Sequence, residues 1–199
     1  MSGEVDVRAL CSLTYGLYIV TSHVGEKLNG QLANTVVQVA NEPIRIAVSL
    51  SPKNLTHEYI VKSGAFGVSV LDESTPMKFV GLFGFRSGRD VDKLSQVAFK
   101  RTVSGCPLVT ENALSVLEAK VIDRVSVGSH SLFIADVVFA EVLREGTPLT
   151  YSFYQECKKG KTPETAPTFR ARAAARARVG RERQMQRYVC DVCGYVSVS

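Results

Sequence analysis

Cys190 and Cys193 are the residues whose types and spacing point most directly to chemistry, because with Gly194 they form a Cys-x-x-Cys-Gly turn. Two thiolates at this spacing can hold one tetrahedral metal ion, and the glycine permits the positive φ that such a turn needs. A tetrahedral sulfur site takes four ligands, and the sequence offers no second pair with this spacing. We therefore expect no resident metal. A vestigial segment, a redox-active dithiol and a site shared between two copies of the chain stay open.

Two polar stretches interrupt the apolar pattern earlier in the chain. The first, residues 25–35, is dense in amides and hydroxyls, and the second, residues 49–56, combines hydroxyls with Lys53 at the predicted start of a helix. Hydroxyls, a lysine and the free N–H groups of a helix N-terminus suit a phosphate, and amides beside them suit a flat heterocycle rimmed by carbonyls. An ordinary interpretation stays open, since Asn29-Gly30 can form a hairpin turn and Asn54 can cap a helix.

The isolated histidines and cysteines give no further site. The three histidines, His23, His57 and His130, lack the spacing of metal ligands. We expect His130 to be a hydrogen-bonded structural residue, with a position near a bound ligand as the alternative. Small apolar packing roles are expected for the remaining cysteines, which are Cys11, Cys106 and Cys157.

The elements that must position these groups are mostly strands. Apolar and β-branched runs bounded by turn residues predict strands at residues 17–22, 35–40, 44–50, 66–71, 114–122 and 131–143. Helices fit at residues 54–63 and 74–83. Because no helix of ten to fifteen residues follows each strand, the pattern disfavours a doubly wound parallel sheet. The pattern predicts a mainly β fold with a few helices, arranged as a closed or nearly closed antiparallel barrel.

The net charge of +5 is concentrated in one segment. Residues 169–187 have a net charge of +6, so the rest of the chain has a net charge of −1. The only acidic residue of this segment is Glu182, and its seven arginines are Arg170, Arg172, Arg176, Arg178, Arg181, Arg183 and Arg187. Strong helix formers, with no aromatic residues interleaved between the arginines to stack on bases, predict a solvated helical linker rather than a nucleic-acid site. Docking of an acidic partner is the alternative.

The amino-acid composition bears on the cellular compartment of the protein. An odd number of cysteines, five, fits a reducing cytoplasm better than a disulfide framework. No stretch reaches the roughly 18 to 20 apolar residues of a membrane span, and the first residues do not match a secretory signal. We expect a cytoplasmic protein with neither a membrane nor a nucleic acid as partner.

Five motifs, which occur in the same order and spacing as in a known protein family, lie within residues 5–145. They are Thr21-Ser22-x-x-Gly25-x-Lys27-x-Asn29-Gly30-x-x-x-Asn34-Thr35, then Pro43-Ile44-Arg45-Ile46-Ala47-Val48-Ser49-Leu50-Ser51-x-Lys53-Asn54-x-Thr56, then Ser63-Gly64-x-Phe66-x-Val68-x-Val70-Leu71, Phe83-Gly84-Phe85-x-Ser87-Gly88 and Gly128-x-His130-x-Leu132-Phe133. In this order they resemble the flavin-reductase-like, FMN-binding split-barrel family. The resemblance implies an antiparallel split barrel, a homodimer, FMN as cofactor and NAD(P)H as electron donor.

The resemblance also implies which residues hold the cofactor. The isoalloxazine ring would be lined by Asn29, Gln31, Ala33, Asn34 and Thr35. The ribityl phosphate would be held by Ser49, Leu50, Ser51, Lys53, Asn54 and Thr56. The flavin would be covered, or approached from the partner subunit, by Gly84, Phe85, Arg86 and Ser87. Tyr151 and Tyr154 would shape the nicotinamide side. No catalytic side chain is expected, because in such enzymes the cofactor performs the chemistry.

The C-terminal part narrows the resemblance to the reductase portion of high-molecular-weight rubredoxins. The matching residues are Gly146-x-Pro148-x-Thr150-Tyr151-x-x-Tyr154, then Lys158-x-Gly160-x-Thr162-Pro163-x-x-Ala166-Pro167-Thr168, then the Cys190 turn. The chain departs from that family in lacking the second cysteine knuckle and in its Arg/Ala-rich linker. We expect an FMN-binding domain at 1–168, a basic helical linker at 169–187 and an incomplete rubredoxin-like segment at 188–199.

Two hypotheses for the activity follow. The first is an NAD(P)H-dependent flavin reductase, or the reductase component of an electron-transfer chain, with a redox protein of rubredoxin, ferredoxin or flavodiiron type as partner. The second is a non-enzymatic FMN electron carrier that a partner protein reduces. An interaction module, in which the basic segment and the cysteine turn dock a partner, is a third interpretation of the C-terminal part.

Overall fold

A computed structural model describes residues 6, 9–102, 104–169, 187–189 and 196–198 of the chain. Cys11–Phe169 form one compact unit, and Met1–Leu10 together with Arg170–Ser199 form another. No helix among the described residues is long and apolar enough to cross a membrane. The predicted Arg/Ala helix and the Cys190–Cys193 turn lie outside the described residues. Around that turn, two short antiparallel strands are described, Arg187–Val189 and Val196–Val198.

The larger unit is built on one antiparallel sheet. In chain order its strands are β1 (Tyr18–Val24), β2 (Lys27–Ala33), β3 (Val36–Asn41), β4 (Ile44–Leu50), β5 (Ala65–Leu71), β8 (Ala113–Ser126) and β9 (Ser131–Val142). Their spatial order is β2-β1-β5-β8-β9-β4-β3, and every neighbouring pair is antiparallel. The two short strands between β5 and β8, which are β6 (Phe99–Arg101) and β7 (Pro107–Val109), pair with each other.

The sheet must curve, because its two edge strands are consecutive in the chain. Six spacings of about 4.8 Å would separate the edges of a flat sheet of this size by roughly 29 Å. The three steps from Ala33, at the end of β2, to Val36, at the start of β3, span at most about 11 Å. The sheet therefore closes on itself at this end and stays unpaired between β2 and β3. This architecture confirms the predicted mainly β, antiparallel split barrel.

Successive side chains of a strand point to opposite faces of the sheet, and the apolar ones form two clusters, one on each face. Val20 belongs to the cluster inside the barrel, with Val48, Phe66 and Phe133. Its neighbour Ile19 belongs to the second cluster, beneath two of the helices, whose other members include Leu17, Leu71, Phe79, Phe83, Leu94 and Tyr154. Both clusters reach the edge strand β2, because Ala33 joins the first and Leu32 packs against the second.

Three helices complete the unit: α1 (Leu55–Ser63), α2 (Met77–Phe85) and α3 (Tyr151–Glu156). Helix α1 ends at Gly64, whose φ of 69° is accessible without a Cβ and whose N–H bonds to the carbonyl oxygen of Ile60 at 2.9 Å. Short 3-10 turns lie at Ala9–Ser12 and Leu94–Gln96.

Several details differ from the sequence-based prediction, and the short strands β6 and β7 were not predicted. The second helix begins at Met77 rather than at residue 74, because Ser74 and Thr75 form a turn on Asp72. The first polar stretch is largely the strand β2, whose polar side chains are compatible with an edge position. The short helix α3 was not predicted; it begins after Thr150, whose Oγ1 accepts a hydrogen bond from the Phe153 N–H at 3.2 Å.

Candidate functional site

A cavity of about 540 Å³ lies at the open edge of the barrel. Strand β2 forms one wall, the turn before α1 and the start of α1 form one end, and residues 83–88 with Lys93 form another side. Helix α3 contributes Tyr151 and Tyr154, and residues 161–167 with Phe169 cover the cavity. Because β2 is an edge strand, side chains from both faces of the sheet can line the cavity.

The cavity gathers nearly all the residues predicted to bind the cofactor. The lining positions among them are Asn29, Gln31, Ala33, Asn34, Ser49, Leu50, Lys53, Asn54, Thr56, Gly84, Phe85, Arg86 and Ser87. Thr35 and Ser51 do not line it. Ser51 instead shapes the turn before α1, since its carbonyl oxygen accepts from the Asn54 N–H at 3.0 Å. Thr35 donates to Asn34 Oδ1 at 3.1 Å. The roles of all these residues in binding the cofactor stay predictions.

The β2 wall presents amides at alternate positions. Asn29 is buried and donates from Nδ2 to Thr56 Oγ1 at 2.8 Å, which ties β2 to the first turn of α1. Gly88 lies against the same amide, because a Cβ at this position would overlap Asn29 Oδ1. Gln31 follows two residues later on the same face. Its Oε1 is buried and has no hydrogen-bond partner in the described part of the chain, so an acceptor is left for a ligand donor.

The start of α1 provides an anion-binding end. Asn54 caps the helix by backbone position only, with no side-chain cap hydrogen bond. The N–H groups of Leu55, Thr56 and His57 have no acceptor among the described residues, whereas the Glu58 N–H reaches the Asn54 carbonyl oxygen at 3.3 Å. Lys53 precedes them, is exposed, and forms no ion pair with a described residue. Free helix N–H groups beside an unpaired cation attract anions.

The residues that cover the cavity are held by hydrogen bonds from three parts of the unit, which are α3, Asn34 and His130. Tyr154 donates to the Lys161 carbonyl oxygen at 2.8 Å, and the Tyr151 hydroxyl bonds to Thr162. Two further bonds are Asn34 Nδ2 to Thr168 Oγ1 at 2.7 Å and His130 Nε2 to the Thr165 carbonyl oxygen at 3.1 Å. We name residues 161–169 the cover segment. Sequence reasoning missed it, although its two prolines and its threonines are a signal for an ordered, extended segment.

His130 has a structural role in this cover. Its Nε2 faces a carbonyl oxygen, Thr165 O, so Nε2 carries the proton and Nδ1 accepts from the Ser129 hydroxyl at 2.8 Å. His130 is thus hydrogen-bonded on both ring nitrogens, as predicted, and a position near a bound ligand stays a prediction. Tyr154 is fully buried, and burial raises the pKa of its hydroxyl. It supports the cover segment and packs with Tyr151, at a ring-centroid distance of 6.1 Å.

Lys93 is the lining residue that sequence reasoning missed most clearly. It is only 3% exposed, although it follows a polar loop whose composition is typical of a solvated segment. Its Nζ lies 5.9 Å from the centroid of the Phe83 ring. Burial lowers the pKa of its ammonium from 10.5 to about 8. Together with Lys53, Arg86 and Lys161 it outweighs Glu164, the one acid among the lining residues, so the cavity attracts anionic ligands.

Comparisons with known proteins agree with this geometry. The family described as "Flavin reductase like domain" matches residues 10–159. The chain is 43% identical over 197 residues to a high molecular weight rubredoxin of Moorella thermoacetica, which covers 96% of this chain and 82% of the relative. It is 48% identical over 165 residues to a ferric-chelate reductase (NAD(P)H) of Archaeoglobus fulgidus, covering 83% of this chain and 98% of the relative.

A solved structure shares the fold. The FMN-binding protein from Thermus thermophilus, crystallised with p-hydroxybenzaldehyde, superimposes with a TM-score of 0.62 and is 27% identical. The match covers 70% of this chain and 81% of the other.

Proposed function

This chain belongs to the flavin reductase like family, and from that membership we propose that it is an NAD(P)H-dependent reductase that binds FMN in the cavity at the open edge of the barrel. The observation that carries the proposal is the juxtaposition, in one cavity, of an anion-binding helix start and an amide-lined edge strand. FMN has the matching parts, a phosphate and a ring rimmed by carbonyls and nitrogens. The names of the relatives, which include an NAD(P)H-dependent reductase and an FMN-binding protein, support the same function.

The residues at the α1 end fit a phosphate. Three free N–H groups, the Lys53 ammonium and the nearby Ser49 hydroxyl can all donate to phosphate oxygens, and no carboxylate lines this end. Ser51 would act indirectly, by holding the turn that aims these donors. We propose that this end binds the ribityl phosphate.

The residues along β2 fit the flavin ring. The ring carries one N–H between two carbonyl groups, and Gln31 Oε1 is a buried acceptor without a partner among the described residues. Asn29 is held in place by its bond to Thr56, so its position is fixed before a ligand arrives. The cavity volume also lies within the roughly 300–1,000 Å³ of small-molecule sites.

FMN, when bound, supplies the acceptor for a hydride from NAD(P)H. The protein's residues bind and orient it. The start of α1 would fix one end of the cofactor and β2 the other. The cover segment would exclude water on one side, supported by Tyr154 and Tyr151. We propose that Tyr151, which is only half-buried, limits the space open to the nicotinamide, while Tyr154 acts only through the cover segment. No side chain needs to act as a general acid or base.

Steady-state NAD(P)H oxidation tests the proposed function. Purified protein should oxidise NADH or NADPH only when FMN is present, and Lys53→Ala should raise the FMN concentration needed for half-maximal rate. An FMN electron carrier is the alternative. A carrier would bind FMN but oxidise neither nucleotide, and it would instead accept electrons from a reduced ferredoxin or rubredoxin. Protein that quenches no flavin fluorescence would refute both.

We also propose that the chain forms a homodimer. The support is an apolar surface on neighbouring strands at the β3 side of the sheet, where Val37, Val39 and Ile44 are each more than half exposed. On β8, β9 and the turn between them, further exposed apolar residues are Ile122, Val125, Val127, Val138 and Val142. Exposed apolar patches of this kind mark interfaces. A second copy fits best, because the family resemblance implies a dimer.

The remaining proposals concern organisation and partners. We propose an FMN domain over residues 1–168, a basic linker over 169–187 and a rubredoxin-like segment over 188–199. A redox protein is the proposed electron acceptor, supported by the similarity to a high molecular weight rubredoxin over almost the whole chain. The reducing environment that five cysteines suit supports a cytoplasmic location.

A further inference from the structure

The start of α1 lacks a side-chain cap. The N-cap side chain of a helix ordinarily accepts a hydrogen bond from the N–H of the second or third helical residue. Asn54, whose amide suits this role, makes no such bond, and the N–H groups of Thr56 and His57 have no acceptor among the described residues. Because helix ends fray when nothing holds them, another contact must fix this first turn.

The side chains of the same two residues tie the turn to the sheet on two sides. Thr56 is fully buried, and its Oγ1 accepts a hydrogen bond from Asn29 Nδ2 at 2.8 Å, which ties it to β2. His57 is also buried, and its Nε2 shares a hydrogen bond of 2.9 Å with the hydroxyl of Ser131 at the start of β9. Ser131 in turn pairs with Leu50, the last residue of β4, so this contact lies beside the turn that leads into α1.

Strand β9 holds the imidazole of His57 by two contacts. Ser131 and Phe133 are two residues apart and therefore point to the same face of the sheet. The Phe133 ring meets the imidazole edge-on, at a centroid distance of 5.0 Å and an interplanar angle of 63°. Burial and the nearby Arg124 lower the pKa of His57, so the ring is uncharged at neutral pH. His57 thus holds the turn by a hydrogen bond and by packing, and it adds no charge for an anion.

We propose that His57 and Ser131 are positioning residues for the ribityl phosphate of FMN. This inference rests on the proposed function. Together with the Asn29–Thr56 bond they replace the missing cap, so that the first turn of α1 is fixed while its N–H groups stay available to phosphate oxygens. A binding group that is ordered in advance costs the ligand less on binding, which raises the affinity. The two residues act through the helix start, whereas Lys53 and the N–H groups would contact the phosphate.

The affinities for FMN and riboflavin test this assignment. Ser131→Ala removes the hydroxyl that holds His57 but retains the backbone pairing of β9. Loss of one hydrogen bond should weaken FMN binding roughly three- to tenfold, because the ligand must then order the turn. Riboflavin, which lacks the phosphate, should bind as before. Ser126→Ala is the matched control, because Ser126 lies opposite Ser131 on β8, is exposed, and makes no side-chain hydrogen bond to a described residue.

Two further variants separate the hydrogen bond from a change in packing. Ser131→Thr keeps the hydroxyl and should keep the affinity for FMN. His57→Leu breaks the same bond from the helix side and should weaken FMN binding as well. Because both substitutions remove one shared contact, the double variant of His57→Leu and Ser131→Ala should bind FMN about as strongly as His57→Leu alone.

Amide hydrogen exchange gives an independent measurement. FMN should slow the exchange of the Thr56 and His57 N–H groups, and riboflavin should not. Exchange at these amides that FMN leaves unchanged would overturn the inference. So would an unchanged FMN affinity in Ser131→Ala, or an equal loss of FMN and riboflavin affinity, which would show a purely structural contact. Unmodified protein that binds no FMN would refute the proposed function, and the inference with it.

Discussion

Two of the lysines that line the cavity lie in opposite surroundings, one exposed to solvent and one buried. Lys53 is exposed at the start of α1, where it and the free helix N–H groups can meet a phosphate without first losing much hydration. Lys93 is buried against Phe83 and is charged in spite of its surroundings. The first therefore concerns the affinity for the ligand, and the second concerns the stability of the empty protein.

Lys53→Ala should weaken FMN binding about ten- to a hundredfold, because a charge-assisted hydrogen bond to a phosphate contributes about 1.5–3 kcal/mol. Riboflavin, which lacks the phosphate, should bind almost as before. Fluorescence titration with both ligands measures the two effects, and Lys78→Ala is the matched control outside the cavity. Equal weakening of FMN and riboflavin would show that Lys53 does not face the phosphate.

Lys93→Met should stabilise the FMN-free protein at neutral pH, because it removes a buried charge that has no partner among the described residues. The pKa of Lys93 is about 8 in the folded chain and about 10.4 in the unfolded chain. The unfolded chain therefore binds more protons between these values, and the unmodified protein gains stability as pH rises through that window.

The stability advantage of Lys93→Met should accordingly be largest at pH 7, at up to about 3 kcal/mol, and should shrink as the pH approaches 10. Urea unfolding of both FMN-free proteins at one concentration and several pH values measures it. A difference that does not change with pH would contradict the buried, charged state of Lys93.

Elements differ in how far the sequence predicts them. The β-branched runs identified most strands, and the turn at residues 51–54 identified the start of α1, because these signals are local. Strand β2 was interpreted as a polar stretch, because the amides of Asn29 and Gln31, which line the cavity, interrupt its apolar pattern. The cover segment and Lys93 were missed because their positions depend on residues distant in sequence, such as Thr168, which bonds to Asn34.

The cover segment should control how fast FMN leaves. Tyr154→Phe removes the hydroxyl that donates to the Lys161 carbonyl oxygen, which costs about 1 kcal/mol. We expect FMN dissociation to become roughly fivefold faster while the overall fold is retained. Tyr59→Phe is the control, because the Tyr59 hydroxyl makes no hydrogen bond to a described residue. A dissociation rate equal to that of the control would show that the segment does not retain the cofactor.

The whole molecule is proposed to work as a pair of chains. Unmodified protein should sediment at about 43 kDa, twice the chain mass of 21.7 kDa. Val39→Asp places a charge in the exposed apolar surface of β3 and should shift the protein toward monomer, whereas Val61→Asp, at an exposed site on α1, should not. A monomeric unmodified protein with full FMN affinity would contradict the proposed interface.

Anaerobic titration of the FMN-loaded protein with NADPH, and separately with NADH, tests the central claim most directly. The account predicts that at least one of the two nucleotides bleaches the visible absorbance of the bound flavin, with one nucleotide oxidised per flavin, because one hydride carries both electrons. Reduction by dithionite then serves as the reference for complete bleaching. Flavin that is bound and bleached by dithionite but stays oxidised with an excess of either nucleotide would contradict the account and leave the chain as an electron carrier.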